Sequence, residues 1–212
     1  MRLFWFVAIG AMVKEFEVLV SGIVSRPVYE ALAIDPTGRS HLIAADHAMA
    51  PGAELLASLP GNARVEFWSA LGDSRIAQSP LPELNAISRS FRSTTQLLDA
   101  LPHRLARERM GFRLYAVGLE AFVWDVAKLA RSSGMDDGEY HLTHAGSERR
   151  RVYCVHCRAF TENVATNIVA CSGCGAHLLV RDHFSRRLAA FMGVQVDAES
   201  PGELPSIEEA FP

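Results

Sequence analysis

Every cysteine of the 212-residue chain lies in one short stretch, in two pairs of identical spacing, Cys154-Val155-His156-Cys157 and Cys171-Ser172-Gly173-Cys174. A Cys-x-x-Cys pair puts two thiolates on one tight turn, and the thirteen residues between the pairs suffice for a hairpin that brings all four to one ion. Gly173 and Gly175 relieve backbone crowding at the second turn, where sulfur must accept amide hydrogen bonds. The pattern predicts a tetrahedral metal site with Cys154, Cys157, Cys171 and Cys174 as ligands. Four thiolates leave no position for water, so the expected ion is structural zinc and no residue is given a catalytic role.

Iron suits the same ligands, which makes a rubredoxin-like electron carrier the rival reading, against which the short spacing and the lone Gly175 count. His156 and His177 flank the ligands but are not needed to complete the set. Arg149, Arg150, Arg151 and Arg158 near the first pair, with Arg181, Arg186 and Arg187 after the second, are the best local basic patch. A nucleic-acid-binding zinc ribbon would have to use it, because the net charge of -3 exerts no general pull on phosphates. No row of aromatic stacking residues accompanies the arginines, and a polar or partner-facing surface is the plainer expectation.

Half the residues are hydrophobic and about a fifth charged, as in a folded globular chain. Strands are expected at Phe16 to Val24, Pro27 to Ala33, His41 to Ala45, Ala63 to Ala70, Phe112 to Val117 and Glu139 to Ala145. Helices are expected at Pro51 to Leu59, over a long region from Leu84 to Arg109 interrupted near Pro102, and from Glu120 to Ser133 with Gly134 as its cap. Alternating strands and helices predict a doubly wound α/β domain over residues 1–148. A small four-cysteine zinc ribbon with a short following helix, His183 to Met192, is expected at 149–199, and an extended, loosely docked tail at 200–212. The apolar side of that helix, Leu188, Phe191 and Met192, is expected to pack on the ribbon; the alternative is a docking element for a partner, with Leu188 and Phe191 as the candidate docking residues. Trp68, Phe122 and Trp124 are expected in the core.

The apolar run Leu3 to Val13 is too short to span a membrane, and a thiol quartet suits a reducing compartment, so the expected location is cytoplasmic. A natural start near Met12 is an alternative reading of that segment. Asp46, His47 and His144 are a conceivable acid/base cluster, although surface or cap roles are the expectation.

The stretch Ala44 to Pro51 and the later run Tyr115-Ala116-Val117-Gly118-Leu119 resemble the nicotinamide-binding domain of the ferredoxin-reductase superfamily. There the first strand ends in Gly-Gly-x-Gly-x-x-Pro and a later one in Tyr-x-Cys-Gly-Pro. Here only Pro51 remains of the first loop, and Val117 and Leu119 replace the cysteine and proline of the second. The resemblance implies a degenerate Rossmann-type domain with no cofactor-binding residues and no hydride transfer; Asp46 would set a negative charge where a pyrophosphate would lie. Together with the quartet and the run from His183 to Glu199, the chain resembles the DmmA-like family of accessory subunits of bacterial dimethylamine monooxygenase. That implies a multisubunit, heme-dependent and NADPH-dependent enzyme that demethylates dimethylamine to methylamine and formaldehyde. Heme, flavin and an iron-sulfur cluster are then expected on the catalytic and reductase partners, and this chain is expected to bind zinc and to dock or align them.

Overall fold

Ser40–Ala45 is buried at every position, the pattern of a strand covered on both faces. It is β1, the middle strand of a five-stranded sheet in the computed structural model, which describes residues 25–47, 58–59, 61, 63–70 and 86–212. The others are β2 (Arg64–Ala70), β3 (Ala86–Phe91), β4 (Phe112–Gly118) and β5 (Tyr140–His144). Every pairing is parallel and the order is β3-β2-β1-β4-β5. Two helices lie among the described residues, α1 (Thr94–Leu105) and α2 (Glu120–Ser132), and they pack on each other and on the sheet.

The sheet has two different faces. Glu66 of β2 pairs with Arg104 of α1 at 2.7 Å, and the strand register sets Leu42, Ala44, Trp68, Leu114 and Ala116 on that same helix-covered side. On the other side Ile43, Val65, Tyr115 and Val117 cluster with Ile34 and Leu59. The expected strand of 16–24, most of the expected helix of 51–59 and Pro51 lie outside the described residues. So does 71–85.

Two expectations for this unit are corrected. Within the expected helical region of 84–109 the described residues form a strand and then a helix: Ala86–Phe91 pairs with β2, and α1 runs only from Thr94 to Leu105, capped by Ser93, whose hydroxyl accepts from the Gln96 amide at 3.2 Å. The Gln96 side chain reaches back to accept from the Arg92 amide at 3.1 Å, so local capping separates two elements that apolar spacing had merged. The segment 27–33 forms no strand; it is held by side chains, among them Tyr29, which donates to Glu120 at 2.7 Å and accepts from Trp124 Nε1 at 2.8 Å. Helix α2 closes at Gly134, whose amide donates to Arg131 O at 3.0 Å.

The chain divides between Val28 and Tyr29 and again between Glu148 and Arg149, so residues 25–28, expected with the first domain, belong with 149–212. Ser25 N donates to Asp182 O at 3.1 Å and Arg26 meets the Asp182 carboxylate at 2.7 Å. This unit is a second five-stranded sheet of β6 (Arg150–Cys154), β7 (Phe160–Val164), β8 (Ile168–Ala170), β9 (His177–Ser185) and β10 (Ala190–Gln195), in the order β7-β6-β10-β9-β8. The expected helix from His183 to Met192 does not exist. Its residues form a β9–β10 hairpin that turns at Ser185–Ala190, and Phe184 faces Phe191 across it with ring centroids 5.0 Å apart. Cross-strand aromatic packing outweighs the helical spacing that these apolar residues also satisfy.

The expected loose tail is also corrected at its far end. Ala210 N and Phe211 N both donate to Ala165 O, at 2.9 and 2.8 Å, Thr166 bridges Glu209, and Phe211 is buried. Among the described residues no helix is long and apolar enough to cross a membrane.

Candidate metal centre

The two Cys-x-x-Cys turns are built alike. Arg158 N donates to Cys154 O at 2.9 Å and Gly175 N to Cys171 O at 3.0 Å, while Cys154 N donates to Ala159 O and Cys171 N to Ala176 O at 2.9 and 2.8 Å. Each turn closes on a residue of positive φ, Arg158 at 67° and Gly175 at 76°. That conformation costs an L-residue with a Cβ of order 1 kcal/mol, so the first turn carries a strain that glycine removes from the second.

All four sulfurs lie within 4.8 Å of one another, with Cys154 to Cys174 at 3.9 Å and Cys157 to Cys171 at 3.5 Å. Four sulfurs each about 2.3 Å from a common ion stand about 3.8 Å apart at the corners of a tetrahedron. The donor set and its spacing therefore suit a tetrahedral ion. Cys154 and Cys171 are buried while Cys157 and Cys174 are exposed, so the centre lies at the edge of the unit. Gly173 is needed for contact: a Cβ there would stand 2.6 Å from Ala159 Cβ and 3.1 Å from Cys157 Sγ.

Electrostatics agree with the geometry. Burial opposes ionisation of Cys171, but amide hydrogens of Cys174 and Gly173 outweigh it and hold the thiol down at about 6. At Cys157 an amide from Ala159 favours the thiolate, yet desolvation and the neighbouring sulfurs push it up to about 12. Four thiolates this close repel one another, and a divalent cation removes that repulsion.

The other candidate residues go elsewhere. Among the described residues, neither His156 nor His177 joins the quartet as a further ligand. The basic patch is broken: Arg150 is buried against Asp182, and Arg151 pairs with Glu162 at 2.6 Å. Trp68, Phe122 and Trp124 are core residues.

Asp46 follows β1 where the chain order reverses beside β4, the place where open parallel sheets receive ligands. Its carboxylate is almost wholly buried and accepts the Leu119 amide at 2.7 Å, at the start of α2. His47 pairs with the same carboxylate, and a Cβ on Gly118 would collide with it. His144 hydrogen-bonds Ser147 O at 3.2 Å, and among the described residues it does not form a close metal-ligating group with Asp46 and His47. Sequence reasoning missed the stack of Arg150 between Phe191 and Phe211. These residues are distant in the chain, and only the strand order and the path of the tail bring them together.

The family model described as dimethylamine monooxygenase subunit DmmA-like, N-terminal domain, matches residues 21–139. The corresponding C-terminal domain model matches residues 151–194, which contain the whole quartet. The heme-dependent oxidative N-demethylase delta subunit of Ectopseudomonas mendocina (strain ymp) is 37% identical over 131 residues, covering 62% of this chain and 71% of the relative. No solved structure matches the chain.

Proposed function

This chain belongs to the DmmA-like family of dimethylamine monooxygenase subunits, and from that premise we propose that it is a zinc-binding, non-catalytic accessory subunit of a heme-dependent oxidative N-demethylase. The reaction is that of the whole assembly: dimethylamine, oxygen, NADPH and a proton give methylamine, formaldehyde, NADP+ and water. Heme belongs to a catalytic subunit, and flavin with an iron-sulfur cluster to a reductase subunit. This chain docks or aligns the two, in the cytoplasm, where its thiols stay reduced.

The observation that carries the reading is the closed quartet of Cys154, Cys157, Cys171 and Cys174 within the family-matched segment. Zinc bound there supplies a cross-link and no reactive coordination position. The protein residues do the rest: two matched turns aim the thiolates, and the Gly173 amide, 3.4 Å from Cys171 Sγ, offsets its charge. Val155 and Phe160, half exposed beside the quartet, suit the docking role.

The other unit supports the same reading. Its strand order is that of one Rossmann half extended past the switch point, which favours descent from a nucleotide-binding domain. Asp46 now meets the start of α2 with a built-in carboxylate, disfavouring a second anion. We therefore assign this unit a scaffold role with no dinucleotide bound.

Metal analysis of the purified chain tests the assignment. One equivalent of zinc, no visible absorption and no heat on NADPH titration are the expected results. A rubredoxin-like iron centre is the second reading, favoured by the exposure of Cys157 and Cys174, and visible iron-thiolate bands would establish it in place of zinc.

A further inference from the structure

The guanidinium of Arg150 lies between two aromatic rings, 3.8 Å from the Phe191 centroid on one face and 3.7 Å from the Phe211 centroid on the other. Asp182 balances its charge at 2.8 Å and meets Arg26 with its other oxygen at 2.7 Å. Burial opposes the Asp182 charge, but the two guanidiniums outweigh it and hold its pKa below the ordinary value. One face of the stack is thus anchored by strands of its own unit, and the other is closed by the C-terminal segment.

That segment is held in an unusual way. From Ser206 to Ala210 every residue is exposed, and Phe211 is the one that is buried. The rest is backbone recognition. Asn167 N donates to Glu208 O at 3.1 Å, Ala210 N and Phe211 N donate to Ala165 O, and Thr166 bridges Glu209 in antiparallel fashion. The Asn167 side chain adds a clamp, donating to Ser206 O at 3.1 Å and accepting from Glu208 N at 2.9 Å. Main-chain pairing plus one side-chain pocket is how sheets take up extended peptides.

We propose that residues 165–167 with Arg150 and Phe191 form a docking slot for an extended peptide bearing one aromatic side chain, and that the chain's own residues 206–211 are its resident occupant, an intramolecular latch. Affinity comes from the backbone ladder and selectivity from the flat guanidinium face, which takes a planar ring better than a branched aliphatic chain. Residues 199–204 are exposed and close their own turn, with Glu203 N donating to Ser200 O at 3.0 Å and Gly202 N to Asp197 Oδ2 at 3.2 Å, so the latch can leave beyond that turn without unfolding the sheet.

The test uses the full chain carrying Phe211→Ala, followed by amide hydrogen exchange. Exchange at Asn167 and Ala210 is expected to rise by about ten-fold or more, while Leu178 and Phe184 keep their protection. A synthetic peptide of residues 204–212 is then expected to bind this variant saturably and restore the protection at Asn167, whereas the same peptide with alanine at the phenylalanine position does not. Equal binding of the two peptides, or unchanged exchange at Asn167, overturns the slot. Should Phe211→Ala fail to fold, Phe211→Tyr and Phe211→Leu decide it: the tyrosine variant is expected to keep the protection and the leucine variant to lose it, and equal protection in both overturns recognition by the guanidinium face.

Discussion

Gly173 offers a direct test of how the quartet is packed. A methyl group there collides with Ala159 and crowds Cys157, so Gly173→Ala is expected to weaken metal binding by about ten-fold or more, read by competition with a chromophoric chelator. His41 tests the other unit. It is buried in the sheet, with Nδ1 3.2 Å from Tyr115 Oη and Nε2 3.2 Å from Gly38 O, and burial lowers its pKa from the usual 6.5. Below that value the unfolded chain takes up the proton more readily than the folded one, so stability is complete above pH 6.5 and declines as pH falls toward the folded pKa. Denaturant midpoints measured from neutral to mildly acidic pH should fall in wild type and vary less in His41→Gln. Both residues show what single positions disclose. The clustering of the four cysteines was legible because two Cys-x-x-Cys pairs at hairpin spacing already imply four sulfurs close together. The burial of His41 was legible as part of a short buried strand, but its partners Tyr115 and Gly38 O were not, since only the strand pairing and the preceding turn bring them to the ring.

Among the elements, the β9–β10 hairpin changes what its residues do. Leu188, Phe191 and Met192 satisfy a helical stripe, and on a helix Phe191 would be free to meet a partner. In the hairpin Phe191 is buried between Phe184 and the Arg150 guanidinium. Phe191→Ala is therefore expected to destabilise the unit by about 3–5 kcal/mol in urea unfolding, as for other buried phenylalanines. Loss of a partner without loss of stability would restore the docking role. At the start of α1, Ser93→Ala should cost about 1 kcal/mol, since it removes the hydroxyl that caps the Gln96 amide. The parallel strands β1 and β4 were legible from short apolar runs and β2 from alternation that sets Val65 and Phe67 on one face, and β5 was expected within 139–145. Strand β3 was hidden because Ser88 and Ser90 dilute its pattern and it abuts a helix. The hairpin was misread because so short an apolar run fits both periods, and long-range pairing decided between them.

At the scale of the molecule, composition and spacing made two modules legible, and the family match covers both. What sequence did not disclose is the closure of the second unit by distant segments: Ser25 and Arg26 from before the first sheet, and Phe211 from the tail. The Arg26 contact with Asp182 spans 156 residues, beyond any local signal. Removing the ion should loosen this unit selectively, so a strong chelator is expected to raise amide exchange at Cys154 and Cys171 while β1 and β4 stay protected. The central claim, a zinc-stapled subunit serving a heme N-demethylase, is tested most directly by the visible spectrum and metal content of the tagged chain purified gently from its native cells. The account predicts a heme Soret band with flavin absorption from bound partners, together with one zinc per copy of this chain. A preparation without heme, or one whose only colour is an iron-thiolate band belonging to this chain, would contradict it.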